Sequence, residues 1–323
     1  VEVASLDTLG YAYGVAVAGT TAYVADGWEG LRVVNVANPA RPVEVGSYKT
    51  PGWAFGIAVS GHLLYIAAAS KGLRIADAGN PARPAEIGAY EPRGDFRSVA
   101  VAGSTVCVAD RDQGLLAIDV ADPRRPAGLG LRSFMTHADA VTVVGDLAYV
   151  AAGRSGLRVM NISDPTRPRE VGVYDVDGAY ATSVVVTRGR AYLGAILGRG
   201  YGVHIIDVSS PAQPRRMGLF RDEQYHELAV IGDLAYLAGE RQFVVLDVSD
   251  PAAPARRGAV QLATSFGSFD VRLALNGTRA YVVLHGGEIK VVDISAPSRP
   301  ALLGTYLPPH PVAGIAVSGG ALY

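Results

Sequence analysis

The segment Tyr225-His226-Glu227 places an imidazole beside a carboxylate, a pair that could transfer protons or bind a metal ion. The spacing of the other residues supports neither use, because the chain has no H-E-x-x-H motif and its 6 histidines are scattered. The single cysteine, Cys107, excludes an internal disulfide and a cysteine-rich zinc site, and we expect it to be a small buried hydrophobe. The sequence therefore predicts no metal site and no cofactor.

Three glycine- or aspartate-rich segments resemble ligand-binding loops but are incomplete. DRDQG (110–114) and DVDG (175–178) begin like calcium loops and lack the distal glutamate, so we interpret them as turns. GRGYG (198–202) has neither the Lys-Ser/Thr that follows in a phosphate loop nor a helix after it. With no G-x-S-x-G nucleophile motif either, we predict no catalytic residue and that the protein is not an enzyme.

Composition excludes several classes of partner. Of the 323 residues, 49% are hydrophobic and 18% are charged, as in a globular protein with a substantial core. The 29 basic and 30 acidic residues give a net charge of −1 without a basic cluster, which argues against nucleic-acid binding. No apolar stretch reaches the ~18 residues of a membrane span, so we expect no membrane insertion.

The elements that would position any site come from a repeat. A proline pair separated by two residues recurs every 40 to 46 residues. The pairs are Pro39/Pro42, Pro81/Pro84, Pro123/Pro126, Pro165/Pro168, Pro211/Pro214, Pro251/Pro254 and Pro297/Pro300. Each repeat contains four short apolar runs separated by turn residues, and in the first repeat these are GVAVAG, TAYVAD, LRVVNV and PVEVGSY. Four strands per repeat with no helix between them are typical of a propeller blade.

The proline pair has a mechanical interpretation within this blade. Proline donates no hydrogen bond to a sheet, so each pair is expected to end the third strand and open the outermost fourth strand. An Asp or Asn precedes each pair, and we expect its side chain to bond the amides of the turn. These residues are Asn35, Asp77, Asp119, Asn161, Asp207, Asp247 and Asp293.

Four of these segments resemble the LVIVD repeat: LLAIDVADPRRP (115–126), VHIIDVSSPAQP (203–214), VVLDVSDPAAP (244–254) and KVVDISAPSRP (290–300). The resemblance covers essentially the whole chain. It implies a β-propeller and an exported or surface-exposed bacterial or archaeal protein. It implies no particular reaction or ligand, since the family has no common catalytic residues.

We predict one all-β domain over residues 1–323, a β-propeller of four-stranded blades. The repeat units are 10–51, 52–93, 94–135, 136–177, 178–221, 222–262 and 263–307. Residues 1–9 match a fourth strand, and 308–323 match a first strand and the start of a second. Our main prediction is therefore eight blades, the last shared between the termini and lacking its third strand; the alternative is seven blades. The unpaired edge could accept a strand of another chain.

Variation between repeats concentrates in two loops of each unit. We call the loop before the first strand the leading loop, and the loop between the second and third strands the middle loop. Both are expected on one face of the disc, which would be rich in aromatic, Arg and His side chains, as protein interfaces are. The candidate interaction residues are Tyr11, Tyr13, Trp28, Trp53, Phe55, Phe96, Arg97, His137, Tyr180, Tyr201, Tyr225, His226, Arg241 and Phe269.

Two functions are compatible with these features. The first is a non-catalytic scaffold or interaction module of the cell envelope or surface, binding another protein or copies of itself through the loop face. The alternative is a small-ligand or glycan binder, or a hydrolase or lyase, that uses the channel mouth. The expected location is extracellular, at the cell surface or periplasmic.

Overall fold

The chain folds entirely into β-strands and turns. The computed structural model describes residues 13–37, 43–133, 137–198, 200–222, 225, 227–239, 241–262, 271–284, 289–306, 317–318 and 321–322. Within these ranges every regular element is a strand, and the strands form antiparallel sheets in which consecutive strands pair. The all-β prediction is confirmed.

The first four blades follow the repeats closely. Blade one contains β1 (Gly14–Ala18), β2 (Thr21–Ala25), β3 (Leu31–Asn35) and β4 (Val43–Tyr48). Blade two contains β5 (Gly56–Ser60), β6 (Leu63–Ala67), β7 (Leu73–Asp77) and β8 (Ala85–Tyr90). Blade three contains β9 (Phe96–Ala102), β10 (Thr105–Asp110), β11 (Gly114–Asp119) and β12 (Ala127–Arg132). Blade four contains β13 (Ala140–Val144), β14 (Leu147–Ala151), β15 (Leu157–Asn161) and β16 (Arg169–Tyr174).

The next three blades include one with longer strands. Blade five contains β17 (Tyr180–Thr187), β18 (Arg190–Leu197), β19 (Gly200–Asp207) and β20 (Arg215–Asp222), each of 8 residues. Blade six contains β21 (Glu227–Ile231), β22 (Leu234–Ala238), β23 (Gln242–Asp247) and β24 (Ala255–Gln261). Blade seven contains β25 (Arg272–Asn276), β26 (Arg279–Val283), β27 (Ile289–Asp293) and β28 (Ala301–Tyr306). A hairpin of β29 (Val317–Ser318) and β30 (Ala321–Leu322) follows.

The number of blades corrects our main prediction. The described residues form seven four-stranded blades, which matches the alternative and not the eight blades that we favoured. Within the segment 308–323, the described residues form only the hairpin β29–β30, which has two residues per strand and lies beside β25. Residues 1–9, which we assigned to the eighth blade, lie outside the described residues.

The blades pack face to face, with their first strands innermost. Contacts run from β1 to β5 and onwards through β9, β13, β17, β21 and β25, so the first strands are neighbours as expected for strands that line a channel. Apolar clusters fill the space between adjacent blades; one joins Tyr149 and Leu157 of blade four to Ala181 and Leu193 of blade five. Cys107 is fully buried in another such cluster, and burial raises the pKa of its thiol to about 12, which confirms its prediction as a core residue.

The Asp or Asn before each proline pair accepts a backbone hydrogen bond, as predicted. In all seven blades its Oδ1 accepts from the amide two residues ahead, at 2.7–3.0 Å. A second Asp or Asn repeats this bond just before the first proline of several pairs, for example Asp122 with the amide of Arg124. These side chains therefore provide hydrogen-bond acceptors for amides of the turn. The turn in turn fixes the direction in which the chain enters the fourth strand.

A glycine in the middle of each fourth strand explains why the proline turn must keep its shape. A Cβ added at Gly46, Gly88, Gly130, Gly172, Gly218 or Gly258 would overlap the proline turn of the following blade, including the carbonyl oxygen of its first proline. In blade seven, by contrast, no described atom lies within 4 Å of a Cβ added at Gly304. The contact that joins successive blades at the periphery is thus a proline turn packed on a bare backbone.

Ion pairs reinforce the outer half of several blades. An arginine near the start of the third strand reaches a glutamate on the fourth: Arg32 to Glu44 at 3.2 Å, and Arg158 to Glu170 at 3.4 Å. Blade five departs from this pattern. Its equivalent residue, His204, is buried, and Nδ1 lies 2.7 Å from the hydroxyl of Tyr174 in blade four. We call the fourth strands, their glycines, the proline turns and these pairs the rim.

Candidate functional site: the mouth face

The leading and middle loops of each blade lie at the same end of its strands. In blade one, Gly14 pairs with Ala25 and Ala25 pairs with Leu31, so the loops before β1 and between β2 and β3 are adjacent. The amide of Tyr13 donates to the carbonyl oxygen of Ala25 at 2.7 Å. The same pairing in every blade places the variable loops together, as the sequence predicted. We call this surface the mouth face.

Loops of neighbouring blades are held together by backbone bridges. Gly27 in the middle loop of blade one exchanges hydrogen bonds with Ala54 in the leading loop of blade two, at 3.2 and 2.9 Å. Equivalent bridges join Ala69 to Phe96 and Gly153 to Ala181. Side chains on these loops are therefore presented from a rigid backbone.

Four residues in or next to the leading loops of blades one to three form a contiguous cluster of three aromatic rings and one arginine, which we call the aromatic sector: Tyr13, Trp53, Phe55 and Arg97. The centroid of the Tyr13 ring lies 4.7 Å from that of Phe55 and 6.0 Å from that of Trp53. Trp53 and Phe55 are stacked with centroids 6.2 Å apart. Trp53 nevertheless remains 43% exposed, so part of a large apolar residue faces solvent.

Arg97 covers one edge of this sector. Its Cζ lies 4.1 Å from the centroid of Phe55, a cation–π arrangement. Its Nε and Nη2 donate to Oδ2 of Asp95 at 2.9 and 2.5 Å. The guanidinium is consequently fixed in place and its charge is neutralised beside the aromatic rings.

A second group continues around the mouth face over blades three to five, and we call it the polar sector: Arg111, Asp139, Arg154 and Tyr180. The Nε of Arg111 lies 3.9 Å from Oδ1 of Asp139. Burial, followed by a hydrogen bond to the Asp139 carboxylate, raises the pKa of Tyr180 to about 12. Tyr180 therefore stays protonated at neutral pH and donates to the carboxylate.

Further polar contacts extend this group at its two ends. The Nδ1 of His137 donates to the carbonyl oxygen of Arg111 at 2.8 Å. On blade five, a bulge at Thr182 interrupts the pairing of β17 with β18, and the Thr182 hydroxyl lies 2.8 Å from that of Tyr201. Bulges often redirect side chains near functional sites.

A small pocket opens beside this bulge between blades five and six. Ser183, Tyr201, Tyr225 and Glu227 contribute to its lining, and Ser183 sits over Gly194, where a Cβ would overlap its hydroxyl. The pocket has room for about one water molecule. Its size suits a bridging water between polar groups rather than a substrate.

The structure separates the predicted site residues by burial. Trp28, Trp53 and His137 are exposed, whereas Tyr13, Phe55, Arg97, Tyr180 and Arg241 are partly buried. Tyr11, His226 and Phe269 lie outside the described residues. Phe96, Tyr201 and Tyr225 are buried in the clusters between blades, so their rings are core residues and do not present a docking surface. The sequence placed these residues in loops, but Phe96 lies in β9 and Tyr201 in β19, where side chains pack between blades.

One residue of the site was not recognised from the sequence. The carboxylate of Asp95 orients Arg97, and only the short spacing in the segment DFR hinted at that pair. The turn interpretations of DRDQG and DVDG are confirmed, since Oδ1 of Asp110 accepts the amide of Asp112 and Oδ1 of Asp175 accepts that of Asp177. Among the described residues, no group of three or more His, Cys, Asp or Glu is placed to hold a metal ion.

Seven four-stranded meanders packed side by side, with the variable loops on one face, define a β-propeller with a rigid loop-bearing surface. The sequence model of the LVIVD repeat matches residues 9–50, 51–91, 93–130, 136–176, 225–261 and 271–307. The chain belongs to the LVIVD repeat family. Blade five lies outside the matched ranges although it has the same four-stranded topology.

Solved structures similar to this chain share its fold at low sequence identity. The computationally designed Ika8 protein has a TM-score of 0.75 at 11% identity, covering 98% of this chain and 93% of its own. BamB from Moraxella catarrhalis has a TM-score of 0.69 at 13% identity, covering 96% and 89%. The periplasmic gluconolactonase PpgL of Pseudomonas aeruginosa has a TM-score of 0.64 at 14% identity, covering 80% and 88%.

These similarities establish the propeller fold and leave the function to be argued from the site. No curated protein matched the sequence. The part of the chain that the structure describes contains no helix long and apolar enough to cross a membrane.

Proposed function

We propose that the protein is a non-catalytic interaction module that binds another protein through its mouth face, with the aromatic sector at the centre of the contact. The observation that carries this proposal is the contiguous cluster of Tyr13, Trp53 and Phe55, capped by Arg97 and partly exposed on a rigid surface. Trp, Tyr and Arg are the residue types that contribute most of the binding energy at protein interfaces.

Preorganisation supports this use of the sector. The Gly27–Ala54 bridge fixes the loop that carries Trp53, and the Asp95 carboxylate fixes Arg97. Side chains that are already ordered lose little conformational entropy when a partner binds, so more of the contact energy is retained as affinity. A flexible loop with the same residues would bind more weakly.

The proposed location is the cell envelope or surface, either extracellular or periplasmic. The periplasmic gluconolactonase that shares the fold is one example of a propeller working in such a compartment. The proposed partner is a protein of that compartment or a second copy of this chain.

The test is partner capture with three forms of the protein: wild type, the double variant Trp53→Ala/Phe55→Ala, and Ile231→Ala. Ile231 is a matched control because it is 53% exposed and lies at the opposite end of its blade. We expect wild type and Ile231→Ala to retain the same stoichiometric partner in native mass spectrometry, and the double variant to lose at least ~10-fold in affinity.

A thermal unfolding midpoint measured for each form shows whether the double variant is still folded. If the partner binds the folded double variant as tightly as wild type, the mouth face is not the docking surface. If the retained species is a multiple of 33.6 kDa with no second protein, the partner is another copy of the chain.

A further inference from the structure

The mouth face carries exposed positive charge that no described carboxylate pairs. Lys71 and Arg154 in the middle loops of blades two and four, and Arg93 in the leading loop of blade three, are all exposed. Within the described part of the chain, none of these side chains takes part in an ion pair. Exposed cations of this kind are free to pair with charges of a partner.

The remaining charges on the loops of blades one to four are largely compensated. Asp110 is buried and accepts the amides of Asp95 and Asp112, so it does not offset the exposed cations. Asp112 is exposed and is the one carboxylate of these described loops that stands against Lys71, Arg93 and Arg154. The ion pairs on these loops are Asp26 with Arg32, Glu29 with Lys49, Glu91 with Arg74, Asp95 with Arg97, and Asp139 with Arg111. The unpaired exposed charge is therefore positive.

Two arginines lie around the hydroxyl of Tyr180. A Cβ added at Gly153 would lie 3.0 Å from the Tyr180 ring, so the loop that carries Arg154 packs on this ring. The charged groups that act on the hydroxyl are the carboxylate of Asp139 and the guanidiniums of Arg111 and Arg154. Because one carboxylate faces two guanidiniums, this position keeps one positive charge in excess.

Lys71 places another cation next to the aromatic sector. A Cβ added at Gly52 would lie 2.8 Å from Cγ of Lys71, so the stem of this lysine lies along the backbone that leads into Trp53. Lysine side chains commonly pack their methylene groups on a surface and keep the ammonium group in water. The ammonium group is thus available to a molecule bound at the aromatic sector.

The polar sector is continuous with the aromatic sector. The amide of Arg111 donates to the carbonyl oxygen of Asp95 at 2.9 Å, and the side chain of Asp95 holds Arg97 over Phe55. Apolar rings from blades one and two are consequently flanked by unpaired cations from blades two and four. A complementary surface has an apolar centre and carboxylates around it.

We infer that the partner presents an acidic segment, with a large apolar side chain on the aromatic sector and carboxylates bound by Lys71 and by Arg154 with Arg111. This inference rests on the proposed function and names the chemistry of the partner. A guanidinium binds a carboxylate through two parallel hydrogen bonds, which favours a carboxylate over other acceptors. A basic segment is disfavoured because it would meet like charges.

Fluorescence anisotropy with labelled, end-capped peptides tests the inference. The acidic probe is Asp-Glu-Leu-Trp-Asp-Glu, its neutral control is Asn-Gln-Leu-Trp-Asn-Gln, and its control without an apolar centre is Asp-Glu-Gly-Gly-Asp-Glu. We expect the acidic probe to bind wild type with a Kd of order 100 µM, and each control to bind at least ~5-fold more weakly. Raising NaCl from about 0.05 to about 0.5 M should weaken binding of the acidic probe at least ~5-fold.

Variants assign the contacts to residues. Lys71→Ala and Arg154→Ala should each weaken binding at least ~3-fold, and Trp53→Ala at least ~5-fold. Arg188→Ala is the matched control and should leave the Kd unchanged, since Arg188 is a 66% exposed cation in the turn between β17 and β18, at the opposite end of its blade. The charge-reversed variant Lys71→Glu/Arg154→Glu should prefer the peptide Lys-Arg-Leu-Trp-Lys-Arg to the acidic probe.

The inference is overturned if the acidic probe does not bind, if the neutral peptide binds as tightly, or if Lys71→Ala and Arg154→Ala have no effect. It is also overturned if the same residues bind vesicles of phosphatidylcholine with about 30% phosphatidylserine, since the cations would then serve a lipid surface. The capture experiment is independent of this result. A protein partner that is lost on Trp53→Ala/Phe55→Ala but is insensitive to salt would uphold the docking surface and overturn the acidic segment.

Discussion

The rim and the mouth face of this propeller differ in how far their residues repeat from blade to blade. At the rim, blades one to six place a glycine against the proline turn of the next blade, and all seven blades use the same Asp or Asn to order that turn. At the mouth face, adjacent blades present different side chains: aromatic rings in blades one and two, and the pair of Arg111 and Asp139 in blades three and four. Repetition marks what the fold requires, and variation marks the surface through which we propose that the protein binds a partner.

Blade five is an exception to the repeated structure of the rim. Its strands are longer than those of its neighbours, and His204 and Arg216 replace the arginine and glutamate that pair in blade four. Burial lowers the pKa of His204 to about 4, so this position carries no charge at neutral pH. A rim contact based on ion pairs has thus become one based on a neutral hydrogen bond to Tyr174.

The largest loss of stability should come from disrupting a glycine–proline contact at the rim. In Gly172→Ala the new methyl group would overlap the carbonyl oxygen of Pro211, and we expect a loss of about 2–4 kcal/mol in the free energy of unfolding. Gly304→Ala is the matched control, since no described atom lies within 4 Å of its added Cβ. Urea midpoints measured by circular dichroism compare the two. Equal midpoints would mean that the glycine contact does not hold the blades together.

Lowering the pH should reduce the stability that the buried neutral His204 contributes to the rim of blade five. The folded pKa of His204, about 4, lies below its ordinary value of 6.5, so protons bind the unfolded chain more tightly. The contribution is therefore fully present above pH 6.5 and decreases as the pH falls towards 4, by roughly 3 kcal/mol. The measurement is the difference in unfolding free energy between wild type and His204→Leu at pH 7 and pH 4.5. A difference that does not change with pH would contradict the buried neutral histidine.

A smaller loss should follow from removing one turn bond. Oδ1 of Asn161 accepts from the amide of Ser163 at 2.8 Å and from its hydroxyl at 2.6 Å. Asn161→Ala removes both and should cost about 1 kcal/mol in unfolding free energy. Asn161→Asp keeps the acceptor and should remain within ~0.5 kcal/mol of wild type. If both variants unfold at the wild-type urea concentration, the turn bond contributes nothing to the rim.

Much of the fold could be predicted because it is repeated. The proline pairs gave the period, the apolar runs gave four strands per blade, and the turn role of residues such as Asp119 is confirmed by its hydrogen bond to Ala121. The blade count was wrong because a match to a strand pattern does not ensure that the segment forms a blade. Residues 317–318 and 321–322 pair as a hairpin of two-residue strands.

Less of the site could be predicted, since it depends on contacts between loops that are distant in sequence. The sequence identified Trp53, Phe55 and Arg97 as candidates, but not the Asp95 carboxylate that orients the arginine. It also grouped Phe96 with the exposed residues, although this ring is fully buried next to Arg97. Alternate residues at the start of a strand point to opposite sides, and which side is core depends on the neighbouring blade.

The glycine–proline contact at the rim also has an evolutionary consequence. Among the described residues, blades one to six each carry a glycine that receives the next repeat, and blades two to seven each carry a proline turn that enters the previous one. A tandem gene duplication of such a repeat would therefore insert a unit whose glycine–proline contact is already matched on both sides. New binding specificity can then arise by divergence of loop codons within one copy, without a compensating change in its neighbours.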